Sequence, residues 1–179
     1  HERTTLSNAA ATYGARLHLF TSEEELAKGG RIVGQGDRLR FLNPLLRAEM
    51  MAEVRWTPED VQMTRNGIGL DTLALTEAQQ AGFRLLARAD VATLLRDLGG
   101  GEALEEMSSK AIHASSAVGV VKVDGNAPSD VLRGGRAVER LWLAATRLGL
   151  SLQPMSSLTY MFAMLETDAG AIFSGSERL

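Results

Sequence analysis

Cysteine is absent from the 179 residues, and that one absence excludes disulfides, zinc-thiolate centres and thiol nucleophiles. Such a chain fits a cytoplasmic protein. No stretch approaches the roughly 20 consecutive apolar residues of a membrane-spanning helix, and the longest apolar runs, such as Ala117–Val121, are of strand length. Positive charge is not concentrated either: 19 lysines and arginines stand against 22 acids, for a net charge of −3. A phosphate backbone needs a dense basic face, so nucleic acid is not an expected partner.

Chemistry-bearing patterns are equally scarce. The three histidines, His1, His18 and His113, are scattered, and neither a nucleophile elbow nor a phosphate loop occurs. Gly99-Gly100-Gly101 is followed by Glu102-Ala103-Leu104 rather than by the lysine a phosphate loop needs, and reads as a flexible break. An enzyme with so few candidate acids and bases makes sense if a cofactor does the chemistry and the protein supplies position and electrostatics.

What is present is the balance of an ordinary globular protein, 45% hydrophobic and 23% charged. The length suits one domain with a sizeable core. The polar start His1-Glu2-Arg3-Thr4-Thr5, without methionine, and an ending at Ser174–Leu179 without a closing strand or helix read as cuts into a longer chain. Residues 1–179 are accordingly expected to be a single domain, incomplete at both ends.

Helical spacing over residues 5–15 gives way to the alternation of Ala15-Arg16-Leu17-His18-Leu19-Phe20, a helix followed by a strand with His18 on its polar side. Ser22-Glu23-Glu24-Glu25 is a capping box, and Gly29-Gly30 is expected to end its helix. Thr57-Pro58 and Thr76-Glu77-Ala78-Gln79 start two more helices, and Asp90 opens a fourth that runs to Gly99. Residues 43 to 106 thus read as short helices joined by glycine breaks. Ile112 to Val123, rich in β-branched residues, is expected to form a central strand covered on both faces, turning at Asp124-Gly125-Asn126. Ser115 and Ser116 either face a ligand or let that strand pack closely.

Asp130 is placed to cap the longest helix, Val131 to Leu148, which Gly149 terminates. Its apolar residues, including Leu132, Val138, Leu141, Trp142, Ala145 and Leu148, wrap most of the circumference, so burial on several sides is expected. A helix of that kind needs more cover than one layer supplies, which predicts a homodimer or a paired sister module. Arg133, Arg136, Arg140 and Arg147 form one basic stripe. The stripe is either a solvated face softened by Glu139 or a place for an anionic ligand or partner.

Gly135-Arg136-Ala137-Val138-Glu139-Arg140-Leu141-Trp142-Leu143-Ala144-Ala145, then Gly149-Leu150 and Gln153-Pro154-Met155, resembles the FMN-dependent nitroreductase family. The likeness is specific over residues 112–157 and diffuse over 5–111, where it is similar to divergent bacterial members, some fused to other enzymes. It implies an α+β fold with a central, mostly antiparallel sheet flanked by helices, in a dimer-type architecture. It implies an oxidoreductase in which FMN takes a hydride from NAD(P)H and passes it to a small electron-poor acceptor by a ping-pong scheme. In that family a strand-like segment after the Gly-Leu turn lies against the flavin ring. Pro154, Met155, Ser156 and Ser157 are the implied cofactor-binding residues, with no catalytic side chain and no metal. Read from the residues alone, Pro154-Met155 equally ends a core strand.

The chain also departs from the family. The arginine-rich phosphate motif and the basic residues near the family's C-terminus have no counterpart within these residues. Ser156-Ser157 stand where many members carry glutamate and glycine. These departures imply an alternative: a degenerate, non-catalytic nitroreductase-like module kept for dimerisation, flavin storage or regulation of a fused enzyme.

Overall fold

Residues 1–177 are described by the structure, a computed structural model; Arg178 and Leu179, where no closing element was expected, lie outside the described residues. In chain order the first elements are α1 (Glu2–Ala11), β1 (Arg16–Phe20), α2 (Glu23–Leu42), α3 (Pro44–Glu53), β2 (Val54–Arg55) and α4 (Pro58–Thr64). Next come β3 (Ile68–Gly69), a 3-10 turn at Leu70–Leu73, α5 (Glu77–Ala87), α6 (Ala89–Asp97) and α7 (Glu102–His113). β4 (Val118–Lys122), α8 (Pro128–Arg147), α9 (Ser157–Leu165) and 3-10 turns at Asp168–Ile172 and Gly175–Glu177 complete the order. The protein is α+β and mostly helical.

Its chain contacts form two compact units, residues 1–30 with 110–156 and residues 31–109 with the segment that starts at Ser157. In the first, β1 and β4 pair antiparallel, with Leu17 opposite Val121 and His18 opposite Val120. The expected alternation of β1 is realised: Leu17 and Leu19 are half-buried while Arg16, His18 and Phe20 are exposed. The core here is thin. Ala10, Ala15 and Ala137 are buried at its centre, with Tyr13, Leu17, Val121 and Val123 packed around them. Small side chains at these positions let the backbones of α1 and α8 approach closely.

The second unit centres on Leu46, Met161 and Phe173, with Leu39, Met164, Leu165 and Ile172 against them. Asn43 caps α3, its side-chain oxygen accepting from the amides of Leu45 and Leu46, and Pro44 sits at N1, where a missing N–H costs nothing. The Asn43 amide group donates in turn to the Ile172 carbonyl at 3.1 Å, tying the chain's last turns to α3. Thr57 with Asp60 and Thr76 with Gln79 form reciprocal capping boxes on α4 and α5. β2 and β3, two residues each, pair parallel between these short helices.

Four expectations need correction. Gly29-Gly30 does not end α2, which continues to Leu42. Tertiary contact overrides the helix-breaking tendency of glycine: a Cβ on Gly34 would meet the Glu105 carbonyl oxygen at 2.6 Å, so the bare helix surface admits a neighbouring backbone. The strand predicted from Ile112 begins only at Val118, because α7 takes Ile112 and His113. Nor is that strand a central one covered on both faces: β4 has one partner strand, Val120 is 49% exposed, and Val118 and Val121 are half-buried. Within the apolar run only Val121 and Val123 pack on the core of this unit, and the partial burial of Val118 is on the other face.

The fourth correction concerns α8. It begins at Pro128, earlier than expected, and Asp130 occupies N3, where its carboxylate accepts from the Ala127 amide at 3.1 Å. The cap residue is Ala127, whose methyl side chain accepts no hydrogen bond. Burial on α8 is confined to one stripe, Ala137, Leu141 and Ala145. Gly149 terminates it as expected, at φ 73°, in a Schellman motif: Leu150 N–H donates to the Ala145 carbonyl and Gly149 N–H to that of Thr146.

Candidate functional site

The Schellman turn releases the chain at Leu150 into an irregular segment over residues 151–156. Pro154 lacks the N–H that a strand ladder requires, and no strand forms here, so Pro154-Met155 does not end a core strand. Pro154, Met155 and Ser156 are exposed, with Met155 at 47%. Ser157 is half-buried and opens α9. The four expected cofactor-binding residues are consecutive in the chain: Pro154, Met155 and Ser156 close the first unit without regular structure, and Ser157 begins α9 in the second. No lysine or arginine occurs between Arg147 and Arg178. The segment offers apolar surface and backbone donors, and no cation.

Ser115 does not face a ligand: its hydroxyl donates to the Ile112 carbonyl at 2.6 Å and closes the end of α7. His18 is solvated on β1. Among the described residues, no three His, Asp or Glu side chains gather as a metal site would require, and no helix is long and apolar enough to cross a membrane.

The basic stripe of α8 divides into two halves. Arg133 donates to the Asp124 carbonyl at 2.9 Å and to the Asp130 carboxylate at 2.8 Å, fastening the turn before the helix. The Arg136 guanidinium stacks on the Tyr13 ring, 4.7 Å from its centroid. Arg140 and Arg147 are exposed and instead line an open cleft of about 240 Å³ between α1 and α8. Thr5, Asn8 and Thr12 line it from α1, with Ala9, Leu143 and Ala144 completing the walls. The spacing of Thr5, Asn8 and Thr12 by three and four residues was a legible sign of one polar helix face. What the sequence did not disclose is that this face meets the far half of the arginine stripe.

On a helix of about 100° per residue, the stripe Ala137–Leu141–Ala145 occupies one side of α8. Val131, Leu132, Trp142 and Leu143 fall within an arc of about 120° on the other. That arc is exposed: Val131 is 67%, Leu132 66% and Leu143 54% accessible.

No known family profile matches the chain, and no solved structure matches it. The chain is 39% identical over 153 residues to an uncharacterized protein of Mycobacterium tuberculosis, a match that takes in 86% of this chain and 21% of that protein. The chain thus spans about a fifth of the length of the curated relative it matches.

Proposed function

We propose that this chain is a nitroreductase-like module of an FMN-dependent oxidoreductase, paired through α8 with a second copy or a sister module. The observation that carries the reading is the exposed apolar arc of α8, Val131, Leu132, Trp142 and Leu143. A helix that buries one side on its own core and leaves two exposed apolar pairs in water on the other, Val131 with Leu132 and Trp142 with Leu143 and with Glu139 and Thr146 between them, offers anchors for a partner. The likeness to the family is centred on this same helix.

Residues 154–157 fit one part of a flavin site. Pro154 and Met155 supply exposed apolar surface for a ring face, Met155 adaptably so. The amide of Ser157, the first residue of α9, would supply a donor for the ring's polar rim. When bound there, FMN would supply hydride transfer from NAD(P)H to an electron-poor acceptor. Pro154, Met155, Ser156 and Ser157 would hold the ring.

A second reading is favoured by the missing cation. With no lysine or arginine between Arg147 and Arg178, a flavin phosphate finds no counter-charge in the segment that would hold its ring. A module that has kept pairing and lost the cofactor accounts for that.

Titration of FMN into the intact protein, followed by flavin fluorescence quenching, separates the two readings. Saturable quenching that weakens when Pro154 and Met155 are both replaced by glycine, with Lys28→Gln behaving as wild type, supports the flavin module. Absence of quenching at high micromolar protein leaves the non-catalytic module standing. Equal binding by all three proteins removes residues 154–157 from the site.

A further inference from the structure

We infer that the cleft between α1 and α8 is a binding site for a small phosphate-bearing ligand, separate from residues 154–157 and sharing only Leu143 with the proposed pairing surface. Of the four arginines along α8, two are committed to structure: Arg133 to the Asp124 carbonyl and Asp130, Arg136 to the Tyr13 ring. The other two have no carboxylate or carbonyl partner among the described residues, and both open onto the same cleft. No acidic side chain lines it, so two positive charges face it without compensation.

Of the rest of the lining, Asn8 suits an oxyanion. The Asn8 side chain supplies two amide donors and a carbonyl acceptor. The Thr5 and Thr12 hydroxyls donate to the carbonyls of His1 and Asn8, leaving their oxygens as acceptors for a ligand hydroxyl or a protonated phosphate oxygen. Ala9, Leu143 and Ala144 give an apolar wall. Arg140 and Arg147 stand seven residues apart, about 10.5 Å along the helix axis. Two long side chains at that separation can close on one extended anion from both ends, each fork taking two oxygens. A diphosphate, or a phosphate group with a second anionic group beyond it, matches that arrangement. A cleft of about 240 Å³ admits a small molecule of this class and not a folded partner.

The probe is inorganic pyrophosphate, titrated calorimetrically into the intact protein at low ionic strength, beside inorganic phosphate and succinate. Saturable binding of pyrophosphate, tighter than phosphate and weakening as salt is added, is the expected result. Replacing Arg140 and Arg147 together by glutamine should weaken it about tenfold or more. Asn8→Ala should weaken it by a smaller factor, a second route to the site that leaves its charge intact. Lys28→Gln with Arg31→Gln removes the same charge from α2 and should bind as wild type does. Three results overturn the assignment: no saturable heat with pyrophosphate at millimolar concentration, equal weakening by the α2 pair, or succinate binding more tightly than pyrophosphate. FMN quenching is read separately, so loss of either site leaves the other testable.

Discussion

Glu25 carries out the role that its position three residues after Ser22 implies. Its carboxylate accepts from the backbone N–H groups of Ser22 and Thr21, at 3.0 and 2.9 Å, while the Ser22 hydroxyl accepts from Glu25 N–H. The bond from the Ser22 amide, then that from Thr21, holds the carboxyl below its usual value of 4.5. A lowered folded value means stabilisation that is fully present above pH 4.5 and lost as pH falls through the folded value. Glu25→Ala should therefore fall below wild type in stability at neutral pH, the two acid-denaturation curves converging at the acid end. A constant offset across that range would show that Glu25 acts through packing instead.

Asn43 is the more demanding residue, only 2% exposed and bonded on both sides. Glu177 lies near its amide group. Burial there opposes the charged carboxylate, yet bonds from the Ser174 amide and hydroxyl and from Asn43 prevail and lower its pKa. Asn43→Asp keeps the cap acceptor, loses the donor to the Ile172 carbonyl, and sets a second carboxylate against Glu177. It should cost about 2 kcal/mol or more at pH 7 and recover part of that loss on acidification, when one of the pair can take a proton. Asn43→Ala should lose a similar amount without the acid recovery. Urea denaturation at pH 7 and pH 5 distinguishes them, and identical pH behaviour would remove Glu177 from the account.

At the scale of elements, α2 shows why glycine is a weak guide to where a helix stops. Gly29, Gly34 and Gly36 all lie inside it, and each has a different neighbour. A Cβ at Gly29 would make ordinary contact with Ile112 and Val118 at 3.9 and 4.0 Å. At Gly34 it would strike the backbone of Glu105, which cannot move without shifting α7. Gly29→Ala should stabilise by about 0.5–1 kcal/mol through helix propensity, whereas Gly34→Ala should destabilise despite the same gain in propensity. Thermal melts of the two variants give the signs directly; stabilisation by both would mean that α7 does not press on α2. On α8, Leu141 is buried between small residues, and Leu141→Ala should cost roughly 2–4 kcal/mol.

For the whole molecule the main question is what covers α8. If the arc of Val131, Leu132, Trp142 and Leu143 is a pairing surface, the intact protein should scatter light as a dimer. In a longer chain with a sister module it should scatter as a monomer that shields Trp142. Leu132→Asp with Trp142→Asp should convert the dimer to monomer while leaving the far-ultraviolet circular dichroism intact. The difference in emission between wild type and Trp142→Phe reports the shielding. A monomeric mass combined with a Trp142 fully open to iodide quenching would refute pairing through this face.

Local signals determined much of this protein in advance. The capping boxes at Ser22, Thr57 and Thr76, the Gly149 stop and the β1 alternation all act within a few residues, where side chain and backbone meet whatever the rest of the chain does. The site segment was legible only as Gln-Pro-Met-Ser-Ser; its form as an exposed irregular stretch before a helix was not. Tertiary packing decided the rest, because each remaining choice depended on a distant neighbour. The close approach of Glu105 requires the bare surface of Gly34 inside α2, and an uncovered face of the β1–β4 pair left Val120 in water. The one-sided burial of α8 turned an all-round apolar pattern into a core stripe, an arginine-lined cleft and an open apolar arc. Periodicity records which residues share a face; only the fold assigns each face its neighbour.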